Sequence, residues 1–156
     1  MIEIDIPGYE NLHLEHVVLD YNGTMAVDGK LIPGVKERLL DLAKKLKVHV
    51  LTADTFGRVV KELSDVPCKV YILRSGHEDI GKMNYVKELS TCNCVVIGNG
   101  RNDAMMLKSA ALGIAVIQEE GASIQAITAA DIVTTSILFA LDLLANPLRI
   151  KATLRL

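Results

Sequence analysis

The sequence contains no tryptophan, and aromatic residues make up only 4% of its 156 residues. Its lysines and arginines form no basic block, and the formal net charge at pH 7 is −2. Proteins that bind nucleic acid generally present a basic surface and, for single strands, aromatic side chains on which bases stack. We therefore expect no nucleic acid among the partners of this chain.

Long apolar runs are also missing, although half of the residues are apolar. The longest candidate, residues 137–145, contains Asp142 and is much shorter than the roughly 20 residues that span a bilayer. We therefore expect no membrane segment. The high apolar content instead favours a sheet buried on both faces and an interface between copies of the chain, so a homo-oligomer is expected.

Cysteine is scarce, and the three present are Cys68, Cys92 and Cys94. An odd number of cysteines, in a sequence whose first residues do not resemble a signal peptide, indicates a reducing compartment and a cytoplasmic protein. Cys92 and Cys94 could form half of a metal site, but no second pair or nearby histidine supplies the other ligands. We interpret them as small side chains at the start of a strand.

Short apolar segments alternate with amphipathic segments along the chain. Strands are predicted at residues 2–6, 14–19, 48–52, 68–73, 94–97, 113–117 and 131–134. Helices are predicted at residues 35–46, 56–63, 79–89, 102–111, 122–129, 135–145 and 148–154. Asp28-Gly29, between short flanks, predicts a tight hairpin at residues 26–31. This alternation is typical of a mostly parallel sheet with helices on both faces, so we predict one three-layer α/β/α domain over residues 1–156.

Polar side chains follow four of the predicted strands, at the point where each strand ends. They are Asp20, Asn22 and Thr24; Thr52 and Asp54; Lys82 in the helix after the third strand; and Asn99, Arg101, Asn102 and Asp103. Because the carboxyl ends of parallel strands lie at one edge of a sheet, these groups are expected to converge on one crevice. A carboxylate nucleophile, a hydroxyl, an ammonium group and an oxygen-rich loop suit phosphoryl transfer with a hard cation such as Mg²⁺.

Four motifs in this order resemble those of the haloacid dehalogenase superfamily. Residues 20–24, Asp-Tyr-Asn-Gly-Thr, resemble the first motif, usually Asp-x-Asp-Gly-Thr, and residues 51–54, Leu-Thr-Ala-Asp, resemble the second. Lys82 matches the third-motif lysine, and residues 98–104, Gly-Asn-Gly-Arg-Asn-Asp-Ala, resemble the fourth. The second and fourth are similar to those of P-type ATPases, and the whole chain resembles small soluble proteins with a P-type phosphorylation domain. The resemblance implies a Rossmann-like fold, a Mg²⁺ cofactor and a hydrolase of phosphorylated substrates, small or large.

The resemblance also implies a role for each matching residue. Asp20 would be the nucleophile that takes the phosphoryl group, and Lys82 would offset negative charge beside it. The implied catalytic residues are Asp20, Asn22, Thr52 and Lys82. The implied phosphate-binding residues are Gly23, Thr24, Thr52, Ala53, Lys82 and Asn102. The implied metal ligands are Asp20, the backbone carbonyl of Asn22, Asn99 and Asp103, the last two directly or through water.

Two aspartates of the superfamily pattern are asparagines in this chain. Asn22 replaces the general acid/base, and an amide cannot transfer a proton at neutral pH, so turnover is expected to be slow. Asn99 replaces a carboxylate that binds the metal, which should weaken Mg²⁺ binding. The cap domains of the superfamily are missing as well, because only residues 25–32 separate the first motif from the first predicted helix. The predicted hairpin is therefore the one local flap over the site.

These departures leave other functions open beside a phosphatase that works through an Asp20 phosphoenzyme. A catalytically weak relative could bind a phosphorylated ligand or a protein partner in a regulatory role. A subunit that completes another enzyme is a third possibility. ATP has little support as the substrate, because the nucleotide-binding domain of the P-type pumps is an insert that this chain lacks.

Overall fold

The computed structural model describes residues 1–54 and 57–156. The strands are β1 Ile2–Ile4, β2 Leu12–Leu14, β3 His16–Asp20, β4 Ala26–Val27, β5 Lys30–Leu31, β6 Lys47–Thr52, β7 Cys68–Ile72, β8 Cys94–Gly98, β9 Leu112–Val116 and β10 Ile132–Thr134. The α-helices are α1 Val35–Leu42, α2 Arg58–Glu62, α3 Glu78–Glu88, α4 Ala104–Ser109, α5 Ile124–Ala129, α6 Ile137–Ala145 and α7 Pro147–Leu154, with short 3₁₀ turns at Thr91–Asn93 and Arg101–Asp103. Within these ranges no helix has the length and apolar character needed to cross a membrane.

Six strands form the central sheet in the order β10-β9-β8-β3-β6-β7, and every neighbouring pair is parallel. The chain runs outward from β3 to β6 and β7, then crosses to the other side of β3 to form β8. Strand order therefore switches direction between β3 and β8, and ligands of open α/β sheets bind at such a point, beyond the carboxyl ends of the strands. All five residues of β3 are buried, as expected for a parallel strand covered on both faces.

Helices cover both faces of this sheet. On one face, α1 packs against α6 and α6 against α7, and α1 buries Val35, Leu39 and Leu42 at helical spacing. On the other face, α4 lies between α3 and α5, and Val86 and Leu107 lie in the smaller of the two apolar cores. The predicted three-layer α/β/α class is confirmed.

The predicted hairpin is present as β4 and β5, which pair antiparallel. Its two turn residues, Asp28 and Gly29, have φ values of 49° and 73°, the left-handed conformations that a two-residue hairpin turn requires. The backbone amide of Asp28 also donates to Glu120 Oε1 at 2.8 Å, which ties the tip of the hairpin to the loop after β9.

The start of the chain differs from the prediction. The predicted strand at residues 14–19 is divided into β2 and β3, and β1 pairs antiparallel with β2 in a ribbon separate from the main sheet. Glu15 marks the division, because its amide donates to the carbonyl of Asn93 and its carbonyl accepts from the amide of Lys47. The first predicted helix ends early, at Leu42. Of the predicted helix at 56–63, Phe56 lies outside the described residues and α2 spans Arg58–Glu62.

A row of buried, hydrogen-bonded polar side chains lies beneath α3. His16 Nδ1 is 3.0 Å from His49 Nε2, and His49 Nδ1 is 2.9 Å from the hydroxyl oxygen of Tyr85. Tyr85 follows Lys82 by three residues on α3, so these hydrogen bonds fix the helix that carries the lysine. At most one of the two imidazoles can be protonated, because protonating both would place two N–H groups face to face.

Lowering the pH should therefore destabilise the protein through His49. Burial, with smaller contributions from His16, Lys69 and Lys47, lowers the pKa of His49 from 6.5 to about 4. Between these pH values the unfolded chain binds a proton that the folded chain does not. Stability is therefore expected to fall by about 1 kcal/mol as the pH drops through this window, after allowance for solvent screening.

Urea unfolding of the native chain and of His49→Gln, at several pH values between about 4 and 7, tests this expectation. The variant should show a flatter pH dependence than the native chain. His13→Gln is the matched control, because His13 is exposed. An unchanged slope in His49→Gln would contradict the assignment.

Candidate active site

The candidate active site lies at the switch point of the sheet, where β3 ends at Asp20, β6 at Thr52 and β8 at Gly98. A cavity of about 200 Å³ opens there. It is lined by Asp20, Asn22, Ala53, Leu73, Glu78, Lys82, Asn99, Gly100 and Asn102. The structure thus brings together residues that follow four different strands, as the sequence predicts.

A buried ion cluster forms the floor of this site. Lys82 Nζ donates to Asp20 Oδ1 at 2.7 Å, to Asp103 Oδ1 at 2.6 Å and, more weakly, to Asn102 Oδ1 at 3.3 Å. Lys82 is 2% exposed, Asp20 7% and Asp103 not at all. With both carboxylates ionised the cluster carries a net charge of −1, and burying an incompletely balanced charge is costly.

This imbalance controls the protonation of Asp20. Burial and the neighbouring Asp103 raise the pKa of Asp20 to about 7, although Lys82 and the hydroxyl of Thr24 act in the opposite direction. Burial opposes the charged form of Lys82, but the two carboxylates outweigh burial and raise the lysine pKa, so the amine is an ammonium ion. A second cation close to Asp20 would favour its ionised, nucleophilic form.

Asp103 is held from several directions by the loop after β8. Its Oδ2 accepts hydrogen bonds from the backbone amides of Asn99 and Gly100 at 3.0 and 2.8 Å, and its Oδ1 accepts from Lys82. Gly98 makes this packing possible, because a Cβ at that position would lie 2.7 Å from the Asp103 carboxyl carbon. Both carboxylate oxygens are therefore already engaged in holding the loop and the lysine.

Asp20 and Asn99 share a contact with Thr24. The Thr24 hydroxyl lies 3.0 Å from Asp20 Oδ2 and 3.2 Å from Asn99 Oδ1, and it can donate its single proton to one of them at a time. Asn99 Nδ2 donates to the carbonyl of Gly121, which keeps Oδ1 turned towards Thr24. Gly23 is required here, because a Cβ on it would lie 2.4 Å from Asn99 Nδ2. Two side-chain oxygens thus face the same side of the cavity.

The other predicted residues lie close by, with different degrees of access. Thr52 is 1% exposed, its Oγ1 accepts from the amide of Asp54 at 3.1 Å, and it does not itself line the cavity, although Ala53 does. Asn22 is exposed and lines the cavity mouth.

Two residues of the site were missed from the sequence. Glu78 lines the cavity. Its position could have been predicted from the sequence, because it precedes Lys82 by four residues and therefore lies on the same face of α3. Gln118 anchors the first-motif loop by donating to the carbonyls of Gly23 and Thr24 at 3.2 and 2.8 Å. No sequence pattern marks Gln118 as a residue of the site.

Comparisons with known proteins agree with this fold. Residues 71–137, which contain the third and fourth motifs, match the model of a family of haloacid dehalogenase-like hydrolases. The chain is 48% identical over 84 residues to the uncharacterized protein MJ0073 of Methanocaldococcus jannaschii, an alignment that covers 51% of this chain and 90% of that protein.

Solved structures share the fold. The 3-deoxy-D-manno-octulosonate 8-phosphate phosphatase of Moraxella catarrhalis, in complex with magnesium ion, phosphate ion and KDO, superposes with a TM-score of 0.67 at 17% identity, covering 92% of this chain and 94% of that chain. A zinc-transporting PIB-type ATPase in its E2.Pi state gives a TM-score of 0.63 at 23% identity, covering 79% of this chain and 20% of that chain.

A parallel six-stranded sheet with a buried Asp–Lys–Asp cluster at its switch point defines a Rossmann-like α/β fold with an ionisable site. Over residues 71–137 the chain matches the haloacid dehalogenase-like hydrolases, the family that its motifs resemble. The predicted family, fold and enzyme class, a hydrolase, are thereby confirmed.

Proposed function

We propose that this chain is a Mg²⁺-dependent phosphohydrolase that forms an aspartyl-phosphate on Asp20. One observation carries the proposal: the Asp20 carboxylate lies in the cavity, held by Lys82 Nζ at 2.7 Å. The common fold with a phosphatase structure that contains magnesium and phosphate supports it.

Each residue then has a chemical task. Asp20 attacks phosphorus as the leaving group departs, and water later cleaves the aspartyl-phosphate. Lys82 offsets the negative charge that Asp20 and the phosphoryl group bring together. Of the predicted phosphate-binding residues, Ala53 and Asn102 line the cavity and would face the phosphoryl oxygens, whereas Gly23, Thr24 and Thr52 lie in the loops and strand end beside it.

The donor set fits a hard cation. Among the described residues no three His, Cys, Asp or Glu side chains are grouped to hold a metal. Mg²⁺ nevertheless needs only one or two protein carboxylates, since water and substrate phosphate complete its shell. Asp20 Oδ2, Asn99 Oδ1 and the carbonyl of Asn22 would hold it, and Asp103, whose oxygens are engaged, would act through water. When bound, Mg²⁺ would neutralise charge on the phosphoryl group.

Turnover should be slow because Asn22 cannot transfer a proton. Asn22→Asp is expected to raise kcat by up to about 10²-fold, a part of the roughly 10²–10⁴-fold that general acid–base catalysis usually contributes. The change is nearly isosteric and falls on an exposed residue at the cavity mouth, so the fold should tolerate it. Steady-state phosphate release measures the gain.

Asn11→Asp is the control for this gain, because Asn11 is exposed and lies outside the cavity. Native protein should first be checked by mass spectrometry for deamidation at Asn22, which precedes glycine and could mimic the variant. An Asn22→Asp enzyme no faster than the native chain would mean that the lack of a carboxylate at position 22 does not limit the reaction.

The substrate is proposed to be a phosphorylated small molecule. A second cavity, of about 270 Å³, shares Asn22 and Ala53 with the first and is also lined by Tyr21, Asp54 and Arg58. A molecule with its phosphoryl group at Asp20 can therefore place its remainder in a polar groove. A broad panel of phosphorylated metabolites, assayed with Mg²⁺ or EDTA, tests the proposal against an Asp20→Asn blank.

A second candidate function rests on Asn22 and Asn99. With both carboxylates replaced, the chain could bind a phosphorylated ligand and regulate a partner without rapid turnover. Incubation with acetyl phosphate, followed by mass spectrometry of Asp20, separates the two functions. Ligand binding without phosphorylation of Asp20 or phosphate release would favour the regulatory one.

Assembly and location belong to the same proposal. Apolar side chains are exposed at Ile124, Phe139 and Leu148, the last by 79%, and we propose that some are covered in a homo-oligomer. Sedimentation velocity measures the assembly state. Cys68, Cys92 and Cys94 are all free thiols, which is compatible with the expected cytoplasmic location.

A further inference from the structure

The cavity retains one titratable side chain without an assigned task. Of the nine residues that line it, three titrate: Asp20, Lys82 and Glu78. Asp20 is the proposed nucleophile, and Lys82 is held between two carboxylates. We propose that Glu78 transfers the protons that Asn22 cannot, an inference that rests on the proposed hydrolase function.

The position of Glu78 suits this task. It is the first residue of α3, and Lys82 follows four residues later, so both side chains lie on the same face of the helix. Glu78 Oε1 accepts from the amide of Gly76 at 3.2 Å, which orients the carboxylate, while Oε2 has no hydrogen-bond partner among the described residues. One carboxylate oxygen is thus held and the other is available to exchange a proton.

The depth of each group in the cavity indicates whether it lies on the side of the nucleophile or on the side of the leaving group. Asp20 and Lys82 are buried at the floor, whereas Glu78 is half-buried at the rim. In phosphoryl transfer the attacking and leaving oxygens lie roughly in line on opposite sides of phosphorus. Because the nucleophile lies at the floor, the leaving group departs on the side of the cavity mouth, and water later enters from the same side. Glu78 lies on that side.

Asp54 is the nearest competitor for this role. It lines the neighbouring cavity, and its Oδ2 accepts hydrogen bonds from the amides of Arg58 and Val59 at 3.2 and 3.4 Å. These bonds place its carboxylate at the start of α2, outside the cavity that holds Asp20. The geometry therefore favours Glu78, and Asp54 enters the experiment as a comparison.

The proton transfers balance over the two steps. In the first, an Asp20 oxygen bonds to phosphorus, the bond from phosphorus to the leaving oxygen breaks, and protonated Glu78 gives that oxygen its proton. In the second, the Glu78 carboxylate takes a proton from water as the water oxygen bonds to phosphorus. The bond from Asp20 to phosphorus then breaks and releases phosphate, and Glu78 is protonated again for the next cycle.

The test is a double-mutant cycle between Glu78→Gln and Asn22→Asp, with phosphate release as the readout. Glu78→Gln should lower kcat of the native chain by about 10²-fold. In the Asn22→Asp background the same change should cost less than about threefold, because the new aspartate then transfers the proton. With p-nitrophenyl phosphate, whose leaving group needs no proton, Glu78→Gln should retain a burst of nitrophenol and accumulate the phosphoenzyme.

Two matched variants control for lost charge and altered folding. Asp79→Asn removes the same charge from the same helical turn outside the cavity, and kcat should not change. Thermal unfolding of every variant checks that the fold is kept.

Each contrary result has a distinct meaning. An equal loss from Glu78→Gln in both backgrounds, an unchanged kcat, or an Asp54→Asn loss that Asn22→Asp rescues would overturn the role of Glu78. In each of these cases only the inference fails, because Asp20 is still phosphorylated and phosphate is still released. Absence of both phosphoenzyme and turnover would overturn the proposed function as well.

Discussion

Replacing Asp20 by asparagine is expected to abolish phosphate release, with kcat lowered by at least about 10⁵-fold. An amide oxygen is too weak a nucleophile to form the acyl-phosphate, and no other described carboxylate lies on the floor of the cavity with an oxygen available to attack. Asp103 is close, but its oxygens are bound to Lys82 and to two backbone amides. Phosphate release and trapping of the phosphoenzyme both measure the loss.

The same substitution should stabilise the protein in the absence of Mg²⁺. Burial and Asp103 raise the pKa of Asp20 from 3.8 to about 7, so between these pH values the folded chain holds a proton that the unfolded chain has lost. Stability therefore falls as the pH rises through this window. The Asp20→Asn change would remove the penalty and leave a balanced Lys82–Asp103 pair. Above neutral pH the gain should be about 2–4 kcal/mol, measured by urea unfolding in EDTA.

Asp79→Asn is the comparison for both readouts, because it removes a carboxylate that lies outside the ion cluster. Neither its turnover nor its stability should differ much from the native chain. Phosphate release by an Asp20→Asn protein, confirmed by mass spectrometry to be free of deamidation, would rule out Asp20 as the nucleophile. An unaltered stability would mean that the cluster is already neutral.

Much of the fold could be predicted because its signals are local. Alternating apolar and amphipathic segments located every strand of the central sheet to within a few residues, and Asp28-Gly29 located the hairpin. The ribbon of β1 and β2 could not be predicted, because two three-residue strands with alternating burial look the same at a sheet edge as in a separate pair. Which strands pair depends on contacts distant in sequence.

The candidate site also has features that could be predicted from the sequence and features that could not. The four motifs placed Asp20, Lys82, Asn99 and Asp103 at one edge of the sheet, and their convergence follows from parallel pairing alone. The division of labour between the two aspartates depends on distances that no motif encodes. Asp103 is fully buried and holds Lys82 and the loop, whereas Asp20 keeps access to the cavity. Glu78 was missed because no motif includes it, although its spacing to Lys82 places it on the same face of α3.

Replacing Lys82 by methionine should destabilise the protein by about 3–5 kcal/mol at pH 8, the usual cost of removing one partner from a buried ion pair. Methionine fills a similar volume, so the loss reports charge and not a cavity. Without the ammonium ion, Asp20 and Asp103 would be buried beside each other with no cation. Their protonation at lower pH should recover part of the stability, and urea unfolding at two pH values measures both effects.

Lys87→Met controls for the loss of a lysine from the same helix, because Lys87 is exposed and makes no contact with the cluster. Combining Lys82→Met with Asp20→Asn gives the sharper test. If the cost arises from two unbalanced carboxylates, removing one should reduce the penalty of Lys82→Met to about half. A penalty of equal size in both backgrounds would mean that Lys82 stabilises α3 by packing and not by charge. In that case its proposed task of offsetting charge at the phosphoryl group would lose its structural basis.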